Sequence, residues 1–169
     1  MRFPVGAVPT HRVGRLIGEG RACDVEFVPN EVLAMHGGEP RLVAEGWFSA
    51  RCNGHVIDGF EAVRVARIAI ETTSTHVGLG PMELDAAHPD WMLGLAITPF
   101  DKCGNKLDSG MGWDAQWSWG KACSAIRVEL PNGFEKPANA VRLGPVERGA
   151  CEIVVEVYGV VTSAVITVK

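Results

Sequence analysis

The C-terminal half of this chain tiles into short alternating strands separated by turn chemistry, which leaves no room for a long helix. Trp91, Leu93, Leu95 and Ile97 are large and apolar, with the smaller Met92, Gly94 and Ala96 between them. The alternation sharpens further on, where Trp113, Ala115, Trp117 and Trp119 share one side and Asp114, Gln116 and Ser118 the other. A period of two sends successive side chains to opposite faces of a pleated strand. One apolar face per strand is the mark of sheets packed over a core.

Twenty glycines and ten prolines are spread between these runs as punctuation, without forming a repeat. Short strands are expected at 24–28 and 31–35, ended by His36-Gly37-Gly38. A longer one should run from Arg41 to Cys52. Asn53-Gly54 then supplies a strong two-residue hairpin signal, with His55 to Asp58 as the returning strand. From Glu61 to Thr72 the apolar phase slips, Val63 and Val65 being odd and Ile68 and Ile70 even. One extra residue near Ala66-Arg67 restores a single face, as a β-bulge does; a helix is the competing reading of this stretch. Residues 74 to 90 lose all periodicity and read as a long surface connection. Further strands are expected at 91–98, 113–119, 124–130, 138–143, 151–158 and 160–168. Ten or so strands at this spacing predict an all-β fold, a two-sheet antiparallel β-sandwich.

A chain of 169 residues buries about two thirds of its unfolded surface and needs no staples to fold. The first 22 residues contain Pro4, Pro9 and four glycines with no period, and predict an extended arm (1–22) ahead of a single sandwich domain (23–169). That arm carries Arg2, Arg12, Arg15 and Arg21 against Glu19 alone, so these arginines are the candidate partner-binding residues. The net charge of −4 disfavours a nucleic-acid binder. The N-terminal sequence lacks the apolar run of a secretory signal, and no run of eighteen apolar residues suggests a membrane span. Cysteines at 23, 52, 103, 123 and 151 form an odd set without a C-x-x-C pair. The expectation is five unbridged thiols in a reducing compartment.

No motif names a reaction. The histidines at 11, 36, 55, 76 and 88 show no zinc-binding spacing. Asp101, Asn105 and Asp108 place oxygens on one turn but lack the pattern of a calcium loop, so a turn-stabilising role is expected. His76, Glu83, Asp85, His88 and Asp90 crowd the 74–90 connection and would be the acid–base groups of an enzyme, if the chain were one. Ser109 is not in a nucleophile elbow. No cofactor, metal or catalytic residue is assigned. Trp113, Trp117 and Trp119 could stack on sugar rings if exposed. The polar residues opposite them predict that they face inward.

The order of an apolar strand, the Phe100-Asp-Lys-Cys-Gly-Asn105 hairpin, the tryptophan-rich strand, Phe134-Glu-Lys-Pro-Ala-Asn-Ala140 and two closing valine-rich strands resembles the jelly-roll sandwiches of the galactose-binding-like class, over residues 40–169. Such domains occur as accessory proteins of tailed-phage particles and as carbohydrate-binding modules. The resemblance implies a jelly-roll-like, non-enzymatic structural protein of a tailed-phage virion, made in the host cytoplasm. As a capsid decoration, cement or accessory head or tail subunit it would contact capsid or tail proteins and form a homo-oligomer. A carbohydrate-binding module using Trp113, Trp117 and Trp119 is the alternative, and an enzyme built on the 74–90 connection the third reading.

Overall fold

The computed structural model describes residues 1–9, 25–74, 76–107, 115–120, 123–129 and 140–169. Among them every regular element is a β-strand, as the period of two requires. The chain divides into two compact units, Met1–Ala66 with Phe100–Asp114, and Arg67–Pro99 with Ala115–Lys169. This differs from the expected arm and single domain. The phase slip between Glu61 and Thr72 is an interruption rather than a bulge: one strand ends at Val63 and the next begins at Arg67. The first unit gives way to the second at that break.

The first unit holds β1 (Arg2–Pro4), β2 (Val25–Phe27), β3 (Leu33–His36), β4 (Glu39–Leu42), β5 (Gly46–Cys52) and β6 (His55–Val63). They form a sheet in the order β1-β6-β5-β2 and a separate β3-β4 hairpin. The expected strand from Arg41 to Cys52 is therefore two strands. Gly46 begins the second with φ of 143°, and a Cβ there would sit 2.7 Å from a methyl of Val32. Asn53 and Gly54 turn the chain with φ of 49° and 82°, the conformation that a tight hairpin between twisted strands needs.

Three phenylalanines make the centre of this unit. Phe48 and Phe60 are cross-strand partners on β5 and β6, and their rings stack at 5.5 Å. The Phe3 ring packs at 5.7 Å from Phe48 and 6.2 Å from Phe60. Phe3 is 1% exposed, because β1 pairs with β6 in parallel. Past β1, Val5 N–H donates to Val63 O, Gly6 N–H to Leu42 O and Leu42 N–H to Ala7 O. The start of the chain is thus part of the fold. Pro4 is accommodated because an edge strand does not require every donor. The remainder of the expected arm, from residue 10 onward, lies outside the described residues.

The second unit is a two-sheet sandwich of β7 (Arg67–Thr72), β8 (Glu83–Leu84), β9 (Leu93–Phe100), β10 (Ala115–Trp119), β11 (Ile126–Glu129), β12 (Ala140–Pro145), β13 (Gly149–Val157) and β14 (Val160–Val168). One sheet runs β10-β13-β14-β8 and the other β11-β12-β9-β7. The first buries Ile153, Val155, Val157, Ile166 and Val168, the second Leu93, Leu95, Ile97, Val141 and Leu143. Each such side chain contributes about 2 kcal/mol by leaving water. The pairings β1-β6 and β14-β8 are parallel, a departure from the expected antiparallel arrangement. Long connections separate both pairs in sequence, and parallel entry needs just such crossovers.

Two cysteines overturn the expectation of unbridged thiols. Cys123 and Cys151 form a disulfide with Cα atoms 5.0 Å apart, and Cys52 is disulfide-bonded as well. Cys151 is buried on β13, and Cys123 shortly precedes β11. The bond therefore ties Cys123, between β10 and β11, to β13. No C-x-x-C spacing could announce it, since the partners are 28 positions apart and meet only once the chain folds back onto β13. Among the described residues Cys103 is a free, exposed thiol.

Candidate functional site

Of the arginines read as partner-binding, Arg2 is committed within its own unit, and Arg12, Arg15 and Arg21 lie outside the described residues. Arg2 Nε is 2.8 Å from Glu61 Oε2, and Arg2 Nη1 is 2.6 Å from Asp101 Oδ2. Asp101 is the hub of the expected turn. Its Oδ1 accepts from the backbone N–H groups of Cys103 and Asn105, and its Oδ2 accepts from the Asn105 side-chain amide and from Arg2. Four donors leave this carboxylate little capacity for a cation.

The Asn105 amide, followed by the backbone donors and the Arg2 charge, holds the Asp101 carboxyl below the usual carboxylate range against the opposing effect of burial. A depressed folded-state pKa stabilises the fold above the unfolded value of about 3.9, and that contribution is lost as pH falls through the lower folded value. The thermal midpoint of Asp101→Asn should therefore fall below the wild type at pH 7, with the gap narrowing at pH 3. An equal gap at both pH values, read by calorimetry, would count against this role.

The tryptophan strand is split in its exposure. Trp117 is 9% exposed and faces the core, whereas Trp119 is 41% exposed. Trp119 occupies the last position of β10 opposite Ile153, where the strand ends and half the ring goes uncovered. This corrects the expectation of inward burial for Trp119. Trp113 lies outside the described residues.

Part of the 74–90 connection does come together, around Trp91 in the second unit. His76 stacks on one side at 4.5 Å between centroids and His88 also stacks on Trp91 at 4.0 Å, both nearly parallel to the indole. His76 Nε2 donates to the Met92 carbonyl at 3.1 Å, and His88 Nδ1 lies 2.9 Å from Asp85 Oδ2. The Ala87 N–H and then His88 keep the Asp85 carboxyl below its ordinary range. Glu83 instead pairs with Lys169 at 2.7 Å. Arg127 closes the cluster from the sheet, donating to Pro89 O at 2.7 Å and to Pro145 O at 3.1 Å. Its guanidinium lies against Gly144, where a Cβ would come within 2.6 Å of it. These polar groups hold the connection on the sandwich.

The most exposed tryptophan described here was not singled out by the sequence reading. On β5, Phe48 and Ala50 point into the core, so Trp47 and Ser49 share the outer face; Trp47 is 64% exposed. Across the hairpin the register shifts, Phe48 facing Phe60 and Ala50 facing Ile57, so that Asp58 and Gly59 together oppose Ser49. This is a β-bulge, and Gly59 has the positive φ of 98° that such a kink favours. Trp47, Phe48, Ser49, Asp58, Gly59 and Asn30 line a hollow of about 320 Å³. Asn30 closes one end, its amide donating to Trp47 O at 3.1 Å while its side-chain oxygen accepts from the Val32 and Leu33 N–H groups. The Met1 α-amino group donates to Gly59 O at 2.7 Å. The Asp58 carboxylate and Ser49 hydroxyl have no hydrogen-bond partner among the described residues. The alternation Trp-Phe-Ser-Ala-Arg over 47–51 was the available signal.

No protein-family model matches the chain, and no curated protein matches it. Among solved structures, domains 4 and 5 of the S-layer protein SbsC are similar at 15% identity and a TM-score of 0.40, over 89% of this chain and 78% of that one. A longer SbsC structure gives 16% and 0.43 over 87% of this chain, which spans 20% of its length. InvD of Yersinia pseudotuberculosis gives 13% and 0.40, over 87% and 47% of the two chains. Likeness at this level assigns neither family nor function.

Proposed function

We propose that this chain is a non-enzymatic β-sandwich protein that acts by contact between surfaces, as a structural or adhesive component of an assembly. The observation that carries this reading is the outer face of β14. Val161 and Val165, four positions apart and so on one face of the strand, are 60% and 56% exposed. Their neighbours across the pair with β13 are Glu156 and Glu152. Open valines framed by carboxylates suit a partner surface that is apolar with a basic rim. Another copy of the chain supplies that charge through Arg12, Arg15 and Arg21.

The disulfides favour folding in an oxidising environment. A decoration or accessory subunit of a tailed-phage particle, touching capsid or tail proteins, is the narrower form of this reading, and the Cys123–Cys151 bond weighs against its completion in a reducing host cytoplasm. Light scattering on the purified chain tests the proposal: the wild type should self-associate, and Val161→Glu with Val165→Glu should be monomeric and folded. A wild type that stays monomeric, or a double variant of unchanged mass, removes the support.

A further inference from the structure

We propose that the hollow beside Trp47 binds a saccharide, with one sugar ring stacked on the indole and its hydroxyls bonded to Asp58 and Ser49. Three independent features converge there. The indole is the most exposed of the large apolar side chains on this sheet, although burial of a tryptophan is strongly favourable, and its flat face is open. The β-bulge at Asp58-Gly59 interrupts the regular pairing opposite Ser49 and places a carboxylate beside that face. Both Asp58 and Ser49 retain their hydrogen-bonding capacity, whereas the remaining polar groups of the hollow are committed to the fold: Asn30 to its turn and Gly59 O to Met1. The site is thereby held in shape before any ligand arrives.

The ligand class follows from the chemistry. A pyranose presents a face of C–H groups to an aromatic ring and hydroxyl donors at its edge. A carboxylate accepts hydrogen bonds from hydroxyls strongly because the acceptor is charged, and a serine hydroxyl both donates and accepts. A phosphorylated ligand is disfavoured by Asp58, the charged side chain that lines the hollow. A cationic side chain would also use Trp47 and Asp58, and the poly-lysine comparison below separates it from a saccharide. This site is distinct from the valine face of the second unit, so either proposal can fail without the other.

Affinity electrophoresis of the intact, oxidised chain tests it, through native gels containing barley β-glucan, arabinoxylan, galactomannan or dextran. The wild type should be retarded by at least one polymer. Trp47→Ala and Asp58→Ala should each weaken that binding about tenfold, the scale of a lost stacking or charged hydrogen-bond contact. Trp119→Ala should bind as the wild type does, separating this hollow from the tryptophan strand. Both site positions are exposed, so thermal midpoints near the wild-type value should confirm that the variants fold. Retardation by none of the four polymers overturns the proposal, as does retardation that survives Trp47→Ala. Salt-sensitive binding of poly-lysine in place of any polysaccharide overturns it too, reassigning the hollow to a basic peptide.

Discussion

Reduction of the oxidised protein should lower its thermal midpoint by about 10 °C, the largest effect expected of any change that leaves the core side chains intact. Cys123 and Cys151 are separated by 28 positions. Closing a loop of that length in the unfolded chain removes conformational freedom equivalent to about 3.5 kcal/mol on the chain-entropy model. Since Cys151 is buried on β13, replacing Cys123 alone would leave a buried thiol where a bond had been. The double variant Cys123→Ser with Cys151→Ser is still more demanding, because it adds a buried hydroxyl; Cys123→Ala with Cys151→Val keeps the site apolar and isolates the cross-link. Calorimetry with and without reductant gives the first measure, and thiol titration in denaturant without reductant gives the second. Fewer than five thiols should react. Five reactive thiols, or a midpoint indifferent to reductant, would show that the bond does not form.

The strands were legible because their cause is local. Alternation places Leu93, Leu95 and Ile97 on one face of β9 whatever the rest of the chain does, and Asn53-Gly54 makes its turn from the two residues alone. What stayed hidden depends on encounters between distant segments. Phe3 reads as one apolar residue in a Pro/Gly stretch, and its burial follows only from the parallel approach of β1 to β6. Val63, Val65, Ile68 and Ile70 carry a phase change, but a bulge and a break between strands leave the same trace in a sequence. The bulge that does occur, at Asp58-Gly59, is marked by a single glycine in a run without clear alternation. Trp119 shares its parity with the buried Trp117, yet its place at the strand end leaves it open.

The site followed the same rule. A reading built on clusters of chemistry pointed to three tryptophans in one strand and to the titratable groups of 74–90. Of those groups His76 and His88 stack on Trp91, Asp85 holds His88 and Glu83 pairs with Lys169. The hollow at Trp47 draws one residue from a turn, three from β5 and two from the bulge on β6, and no two of its polar groups stand out as a motif. Exposure is what distinguishes it, and exposure depends on which face of a sheet is covered.

Phe3→Ala should destabilise the first unit by about 3–4 kcal/mol, the usual cost of removing a buried aromatic ring from a packed cluster. The ring touches both Phe48 and Phe60, so its loss leaves a void between two side chains that are themselves held by strand pairing and cannot easily close it. Deleting residues 1–7 should cost at least as much, since it also removes the backbone bonds to Val63 and Leu42 and the Arg2 pairs with Glu61 and Asp101. An extended arm serving only assembly predicts the opposite: a nearly unchanged midpoint and a lost oligomer. Denaturant unfolding followed by hydrogen exchange in β5 and β6 separates the two, because those strands lose protection only if β1 is part of their sheet. The deletion should also abolish saccharide binding at Trp47. With Arg2 gone, Glu61 becomes an unpaired carboxylate opposite the indole, and with Met1 gone, Gly59 O loses the donor that helps hold the bulge. A truncated chain that keeps its stability and its protection in β5 and β6 would return the first residues to the role of a free arm.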